Sequence, residues 1–389
     1  MIYRRFGKTE LEMPVLSFGC MRSMHDWTDK PLESLPQEST DKLAEIAKAA
    51  LSHGINHFET AHGYGSSERQ LGAVLPRFKR EDYILQTKAG PTRDPDEFIQ
   101  KVHDSLDRLG VDYVDLLGLH GINDYSSLWN CCRKGGCLHA ARKLQAEGKI
   151  RHVGFSGHGP LDVILEAINH EEDGGFDYIN IHWYYIYDVN RPAIERAAER
   201  DMGVYIISPT DKGGMLHTPP PSLTKLCEPF SPILFNDVYC LNQPGVSSIS
   251  IGASRVSDFD EHLRTLEYLA PNSALPFISV LEKLEEKMQK ATGHRRPEHL
   301  WHHLPDREIT PGNINLRFIH WLYNVARGWD LTTFAKTRYN MLGSGSAWVQ
   351  GNSGIRLNDL SFKEIREKYP AITEEFLADI RDAHNFLKE

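Results

Sequence analysis

The chain has 389 residues and lacks the features that mark secreted, membrane and nucleic-acid-binding proteins. No stretch approaches the roughly 18 consecutive apolar residues that a membrane span needs. Basic residues near the N-terminus are not followed by an apolar run, so we expect no secretory signal. The formal net charge of −9 and the absence of a stripe rich in Lys or Arg argue against a nucleic-acid partner. We therefore expect a soluble, cytoplasmic protein with no membrane partner.

Cysteine is also scarce, because six cysteines in a chain of this length are too few for a disulfide scaffold. Cys131, Cys132 and Cys137 lie close together, but no C-x-x-C pair accompanies them. Adjacent cysteines do not easily ligate one tetrahedral metal ion. We expect reduced, structural cysteines and no metal site.

A glycine-rich G-x-G-x-x-G turn is missing after the first predicted strand. That turn binds the pyrophosphate of a dinucleotide in doubly wound open sheets, so its absence disfavours this fold. The nearest match, around Tyr64, lies in the stretch Gly54–Gly65, which reads as a short buried strand followed by a polar turn. The turn holds a carboxylate at Glu59 and the phenol of Tyr64. Barrel enzymes keep their catalytic groups in such turns at strand ends.

Apolar strand candidates alternate with helical patterns along the first two thirds of the chain. The predicted strands are 13–19, 55–58, 82–88, 113–120, 151–156, 178–182, 203–208 and 247–251. Eight strands alternating with helices predict an α/β fold, an eight-stranded parallel (β/α)8 TIM barrel, with the doubly wound sheet as the alternative. We predict a barrel over residues 1–270 and an α-helical C-terminal extension over 271–389.

The remaining helix predictions concern the extension and two connections in the barrel. The extension shows helical patterns over 280–292, 313–327 and 361–387. In the barrel we predict a single helix over 222–234, and an irregular passage with the cysteines before a helix at 138–147.

Four polar side chains stand where predicted strands meet loops. Glu59 and Tyr64 follow the second strand, Lys88 ends the third and His120 ends the fourth. Taken singly, each is more often an ordinary hydrogen-bonded loop residue. In a barrel, however, the C-terminal strand ends share one rim, so these four side chains are predicted to converge.

Together the four groups suit the reduction of a carbonyl by hydride, which leaves an alkoxide that must be protonated. A tyrosine, with a pKa near 10, donates a proton poorly at neutral pH until a cation lowers that pKa. Lys88 would supply the cation and Glu59 would keep it charged. His120 would orient the carbonyl by a hydrogen bond.

This pattern resembles the aldo-keto reductases, whose tetrad is Asp, Tyr, Lys and His on an eight-stranded α/β barrel. The resemblance covers roughly residues 1–270 and rests on Glu59 to Gly65, Gln86-Thr87-Lys88 and Asp115 to His120. It implies an NAD(P)H-dependent oxidoreductase that converts an aldehyde or ketone to an alcohol, with Tyr64 as general acid. The implied partner is a small carbonyl compound.

The resemblance also implies an extended cofactor, NADPH or possibly NADH, bound over the same rim. Ser156 and Asn180 fall where the nicotinamide carboxamide is held, and Ser208 begins the segment that passes the pyrophosphate. The adenosine-phosphate segment and its adenine contact are implied at Gly252, Ala253, Ser254, Arg255 and Glu261.

Several positions depart from the family pattern. Glu59 replaces the usual Asp, and Gly252 and Asp258 stand where many members have Lys and Arg for the 2′-phosphate, so Arg255 is the candidate replacement. The C-terminal region resembles the tail of a bacterial branch that carries a ferredoxin-like cysteine run. Because no cysteine follows Cys240, no iron–sulfur cluster is expected.

Two other function classes remain open from the residues alone. A barrel that binds NADPH but turns over little would be a regulatory or sensor protein, and the helical extension is compatible with that role. A metal-dependent barrel hydrolase is the third hypothesis, since the chain has 19 histidines, His57 and His62 among them. It is disfavoured because no H-x-H pair occurs on the first strand.

Overall fold

The computed structural model describes residues 1–269 and 274–389, and contacts divide the chain into two units. The first unit comprises Met1–Trp183, Asn190–Thr210 and Asp237–Ala270. The second comprises Tyr184–Val189, Asp211–Asn236 and Pro271–Glu389. Two short segments of the predicted barrel sequence thus belong to the second unit, and the boundary at residue 270 stays a prediction.

The first unit contains a closed barrel of eight parallel strands, which confirms the predicted TIM barrel. A short antiparallel hairpin, β1 (Tyr3–Arg5) and β2 (Glu12–Pro14), precedes it. The barrel strands are β3 (Leu16–Gly19), β4 (His57–Glu59), β5 (Ile84–Ala89), β6 (Val114–His120), β7 (Ile150–Gly157), β8 (Tyr178–Ile181), β9 (Gly203–Ile206) and β10 (Val246–Gly252). Each strand pairs with the next, and β10 pairs with β3 to close the barrel. The open-sheet alternative is therefore excluded.

Helices connect the strands, and their bounds follow local signals in the sequence. They are α1 (Gln37–Ser52), α2 (Ser67–Val74), α3 (Pro95–Leu109), α4 (Tyr125–Cys132), α5 (Cys137–Ala146), α6 (Leu161–Asn169), α7 (Arg191–Glu199), α8 (Pro221–Cys227), α9 (Pro232–Leu241) and α10 (Asp258–Leu263). Helix α3 is an example of bounds set by such signals. The Asp94 carboxylate accepts a hydrogen bond from the Asp96 backbone, proline occupies the first turn, and Gly110 ends the helix with a φ of 65°.

The second unit is helical, as the sequence predicts for the extension. Its further helices are α11 (Ala274–Thr292), α12 (Leu316–Trp329), α13 (Thr332–Tyr339), α14 (Lys363–Lys368) and α15 (Glu374–Leu387). Two buried tryptophans on α12 hold this unit together. Trp321 donates its indole N–H to the Ile186 carbonyl at 2.6 Å, and Trp329 donates to the Leu284 carbonyl at 2.9 Å. Each buries a large apolar surface and satisfies its polar atom.

Three predictions of local structure were wrong. The passage with the cysteines contains α4, which begins at a capping box between Asp124 and Ser127. The single helix predicted over 222–234 is two helices, α8 and α9, interrupted around Pro229. The final helix is likewise two, α14 and α15, because Pro370 cannot continue an α-helix.

None of the described helices is long and apolar enough to cross a membrane.

Polar side chains occupy the barrel interior below the C-terminal rim. The His57 Nδ1 lies 2.9 Å from the Ser17 hydroxyl, which lies 2.7 Å from that of Ser248. The imidazole meets the Tyr205 ring edge-on at a centroid distance of 5.2 Å. Burial lowers the pKa of His57 to about 3, so His57 is neutral in the folded protein at neutral pH.

The buried histidine predicts a loss of stability in mild acid. The unfolded chain binds the His57 proton below about pH 6.5. The folded protein binds it only near pH 3. The contribution of neutral His57 to the free energy of unfolding is therefore fully present above about pH 6.5 and is lost as the pH falls toward 3. Between pH 7 and 4 we expect the wild type to lose about 2–3 kcal/mol more than His57→Gln. Urea unfolding at several pH values measures the difference, and parallel pH curves would contradict it.

Candidate active site

Backbone hydrogen bonds hold the turn after β4 beside β5. The Thr60 and His62 amides donate to the carbonyls of Gln86 and Lys88, each at 2.9 Å. The pairing between the two strands therefore continues beyond the end of β4. This brings the turn that carries the predicted phenol alongside the strand that carries the predicted lysine.

A second loop, residues 24–27 after β3, packs against the same turn. Gly65 has a φ of 45°, and a Cβ at this position would lie 2.1 Å from the Asp26 carbonyl oxygen, so only glycine permits the approach. The Ser66 hydroxyl accepts hydrogen bonds from the His25 and Asp26 amides at 3.2 and 3.1 Å. Trp27, whose exposed fraction is 65%, consequently lies edge-on to the ring of Tyr64.

The central contact of the site is a buried ion pair between Lys88 and Glu59. The Lys88 ammonium also donates to the Thr60 carbonyl at 2.7 Å. Burial lowers the pKa of Lys88 well below its usual value. The adjoining Glu59 carboxylate opposes that shift, because it favours the charged ammonium. The extra methylene of Glu59, relative to the family's Asp, does not prevent this contact.

The phenol of Tyr64 lies against this pair and against His120. Lys88 Nζ is 4.7 Å from the Tyr64 ring centroid. The His120 ring meets the Tyr64 ring edge-on, with 5.6 Å between centroids. The fold therefore brings all four predicted side chains to one place. Burial raises the pKa of Tyr64, which is opposite to the predicted effect of the lysine.

Two glycines that the motif analysis did not single out make room for the ion pair. A Cβ on Gly118 would lie 3.0 Å from Lys88 Cγ, so the lysine stem runs over this glycine. A Cβ on Gly19 would lie 2.5 Å from the Ser250 hydroxyl and 3.4 Å from a Glu59 oxygen. A glycine inside a barrel strand was the only available signal, since glycine there often marks a close approach.

Strand register places two predicted cofactor residues in line with His120 across three neighbouring strands. Ser156 pairs with His120 on one side and with Asn180 on the other. The Ser156 hydroxyl accepts a hydrogen bond from the Gly121 amide at 3.1 Å, which leaves its own O–H to donate. Asn180 is fully buried, and within the described part of the chain its amide nitrogen and oxygen have no hydrogen-bond partner. Such a buried, unsatisfied amide fits the carboxamide of a nicotinamide.

Ser208 lies just beyond β9 and adopts an unusual backbone conformation, with a φ of 53°. Residues held in this region cost free energy and cluster at ligand sites. The structure thus places the predicted pyrophosphate segment at the C-terminal ends of the strands.

The predicted adenosine segment follows β10, at the same rim. Ala253 is buried, and the Ser254 amide and hydroxyl donate to the Asp258 carboxylate at 2.9 and 3.1 Å. Arg255 is exposed and donates to the same carboxylate at 2.8 Å, while Glu261 contacts Arg264 one turn along the chain.

Arg22 is a residue of this segment that sequence reasoning missed. Its side chain covers Gly252, where a Cβ would lie 2.9 Å from Arg22 Cδ. Its guanidinium donates to the Gly252 carbonyl at 3.0 Å. Because the two residues are far apart in sequence, no local pattern revealed the contact.

The histidines of the metal-hydrolase alternative have other partners. His62 lies 2.9 Å from the Asp104 carboxylate, and His57 contacts Ser17 in the barrel interior. Residues 1–269 and 274–389 contain no group of three or more His, Cys, Asp or Glu side chains placed to hold a metal ion. The predicted absence of an iron–sulfur cluster stays a prediction.

Comparison with known proteins identifies the family to which this chain belongs. The profile of the Aldo/keto reductase family matches residues 15–221. L-galactose dehydrogenase of Arabidopsis thaliana is 28% identical over 301 residues, which cover 68% of this chain and 88% of that protein. D-arabinose 1-dehydrogenase of Saccharomyces cerevisiae is 34% identical over 148 residues, covering 36% of this chain and 41% of that protein.

A solved structure shows the same fold. The holo form of an aldo-keto reductase from Bacillus halodurans superposes with a TM-score of 0.60 at 24% identity. The match covers 73% of this chain and 96% of the other. The chain therefore belongs to the aldo/keto reductase family, as the resemblance predicts, and is an NAD(P)H-dependent oxidoreductase.

Proposed function

We propose that this oxidoreductase reduces an aldehyde or ketone to the alcohol, with Tyr64 as the general acid. One observation carries the proposal. The buried Lys88 ammonium, paired with Glu59, lies 4.7 Å from the centroid of the Tyr64 ring. A cation at this distance stabilises a phenolate more than a phenol, so it makes the proton easier to donate.

The chemistry divides among the four residues. A reduced nicotinamide, when bound, supplies a hydride to the carbonyl carbon. Tyr64 then gives its hydroxyl proton to the oxygen as negative charge develops there. Lys88 stabilises the resulting phenolate, and Glu59 keeps Lys88 charged. His120 donates a hydrogen bond to the carbonyl oxygen and orients it.

The nucleotide is proposed to lie over the rim along residues already described. Ser156 and Asn180 would hold the carboxamide, since their hydroxyl and amide groups lie side by side on neighbouring strands. Ser208 would follow the pyrophosphate. The adenosine end would lie along Gly252 to Arg255, near Glu261. NADPH is the cofactor that the family resemblance favours, with NADH as the other possibility.

The substrate side of the site includes an exposed aromatic ring. Trp27 lies 6.5 Å from the Tyr64 ring centroid, in an edge-on arrangement. An exposed indole offers an apolar face against which the body of a carbonyl substrate would pack. Because two relatives are named as dehydrogenases of L-galactose and D-arabinose, aldoses belong in the substrate panel, assayed in both directions.

Replacement of the phenol tests the proposal. We expect Tyr64→Phe to lower kcat by about 10²–10⁴-fold, because the ring remains and the proton donor is lost. The Kd of the nucleotide should change less than about threefold, since the acid acts on the carbonyl oxygen. Steady-state kinetics with an aldehyde and aldose panel measures the first quantity, and quenching of tryptophan fluorescence measures the second.

The matched control is Tyr83→Phe, which removes a hydroxyl just before β5 and should keep wild-type kcat. Retained turnover in Tyr64→Phe would show that another group is the acid. A wild-type protein that binds nucleotide but reduces no member of the panel would favour the regulatory or sensor function instead.

Gly118→Ala tests the placement of the lysine. The added methyl would lie 3.0 Å from Lys88 Cγ, so the stem must shift by a few tenths of an ångström. We expect kcat to fall by about tenfold or more, since small displacements of catalytic groups are costly, with an unchanged nucleotide Kd. Gly90→Ala adds the same methyl where the nearest atom is 3.9 Å away, and should leave kcat unchanged. Equal effects of the two substitutions would contradict this role for Gly118.

A further inference from the structure

The segment after β10 is held by hydrogen bonds to a carboxylate of the same chain. The Asp258 carboxylate accepts hydrogen bonds from the Ser254 amide and hydroxyl and from Arg255 Nε, at 2.9, 3.1 and 2.8 Å. The Asp258 side chain is only 6% exposed, whereas that of Arg255 is 75% exposed. The Ser254 amide and hydroxyl and Arg255 Nε therefore donate to a largely buried anion of the same chain.

The internal anion is charged at neutral pH. Burial opposes ionisation, but hydrogen bonds from Ser254 and Arg255 prevail and lower the pKa of Asp258. Arg22, the other cation beside the segment, lies 3.8 Å from the same carboxylate. A backbone amide, a hydroxyl and two guanidiniums are the groups that a phosphate would use. Here the Asp258 carboxylate already accepts from the Ser254 amide and hydroxyl and from Arg255 Nε.

The neighbouring helix adds further negative charge. The first turn of α10 carries Asp258, Asp260 and Glu261. Like charges a few ångströms apart repel each other near a protein surface, and a phosphate carries nearly two charges. A phosphate approaching this segment would meet repulsion and would have to displace Asp258 from its donors. A neutral ribose hydroxyl meets neither cost.

We propose that Asp258 makes this site select a nucleotide without a 2′-phosphate, so that NADH binds more tightly than NADPH. This inference rests on the proposed function, because it takes the segment after β10 as the adenosine end of the cofactor site. It departs from the NADPH preference that the family resemblance favours. The reason is specific to this chain, in which an acidic residue holds the donors that a phosphate requires.

The test compares the Kd of NADH and NADPH by tryptophan fluorescence quenching, without turnover. We expect the wild type to bind NADH at least tenfold more tightly. In Asp258→Ser, which frees the donors and removes a charge, the Kd of NADPH should fall at least tenfold while that of NADH changes less than threefold. Adding Arg22→Ala to this variant should reverse most of the gain, because it removes a cation that the 2′-phosphate would contact.

Two further variants make the test specific. Asp260→Asn removes an equal charge from the same turn but no hydrogen bond to Ser254, and should lower the NADPH Kd far less than Asp258→Ser does. Asp258→Asn keeps the shape of the side chain, so it reports the effect of charge if Asp258→Ser folds poorly.

Each outcome has a definite meaning. Tighter binding of NADPH by the wild type, or an unchanged ratio in both Asp258 variants, overturns the inference and leaves the proposed function standing. If the folded wild type binds neither nucleotide, the proposed function fails instead.

Discussion

The proposed site depends on holding the amine of Lys88 inside the barrel next to a phenol. An unpaired ammonium in such a place loses its hydration and tends to give up its proton. The carboxylate of Glu59 and the carbonyl of Thr60 compensate for that loss, and both come from the turn after β4. The turn is held beside β5 by backbone hydrogen bonds and from the other side by the loop at residues 24–27. The geometry of the candidate site therefore follows from the contacts that stabilise one buried lysine. Gly118 contributes by having no side chain where the lysine stem must pass.

The two ends of the proposed cofactor site differ in whether their polar groups already have hydrogen-bond partners. At the nicotinamide end, Asn180 is buried with two unsatisfied amide atoms, an arrangement that costs free energy until a ligand amide satisfies them. At the adenosine end the polar groups are already satisfied, because Asp258 accepts from Ser254 and Arg255. A ligand gains hydrogen bonds at the first end and must compete for them at the second. This asymmetry is the physical basis of our proposal that the site recognises the nicotinamide strongly and discriminates at the ribose.

Most of the barrel was predictable because its signals are local. The helix α3 begins at Pro95, directly after the Asp94 cap, and ends before Gly110, so short-range signals in the sequence mark both of its ends. The errors arose where short elements gave weak patterns, as in α4, or where proline interrupted a longer helical pattern, as at Pro370. The four catalytic candidates were predictable for another reason, since parallel strands in a barrel share one rim. A residue at the end of any strand must then lie near residues at the ends of its neighbours.

By itself the sequence determined the class of fold, the rim at which the polar side chains meet and the chemical types available there, because these follow from periodicity and residue identity. The tertiary structure alone decided which groups actually touch. Arg22 reaches Gly252 across more than two hundred residues, Gly118 makes room for Lys88 on the neighbouring strand, and burial raises the pKa of Tyr64 against the expected influence of the lysine. Packing distances and desolvation are properties of the assembled barrel, and no short segment of the chain contains them.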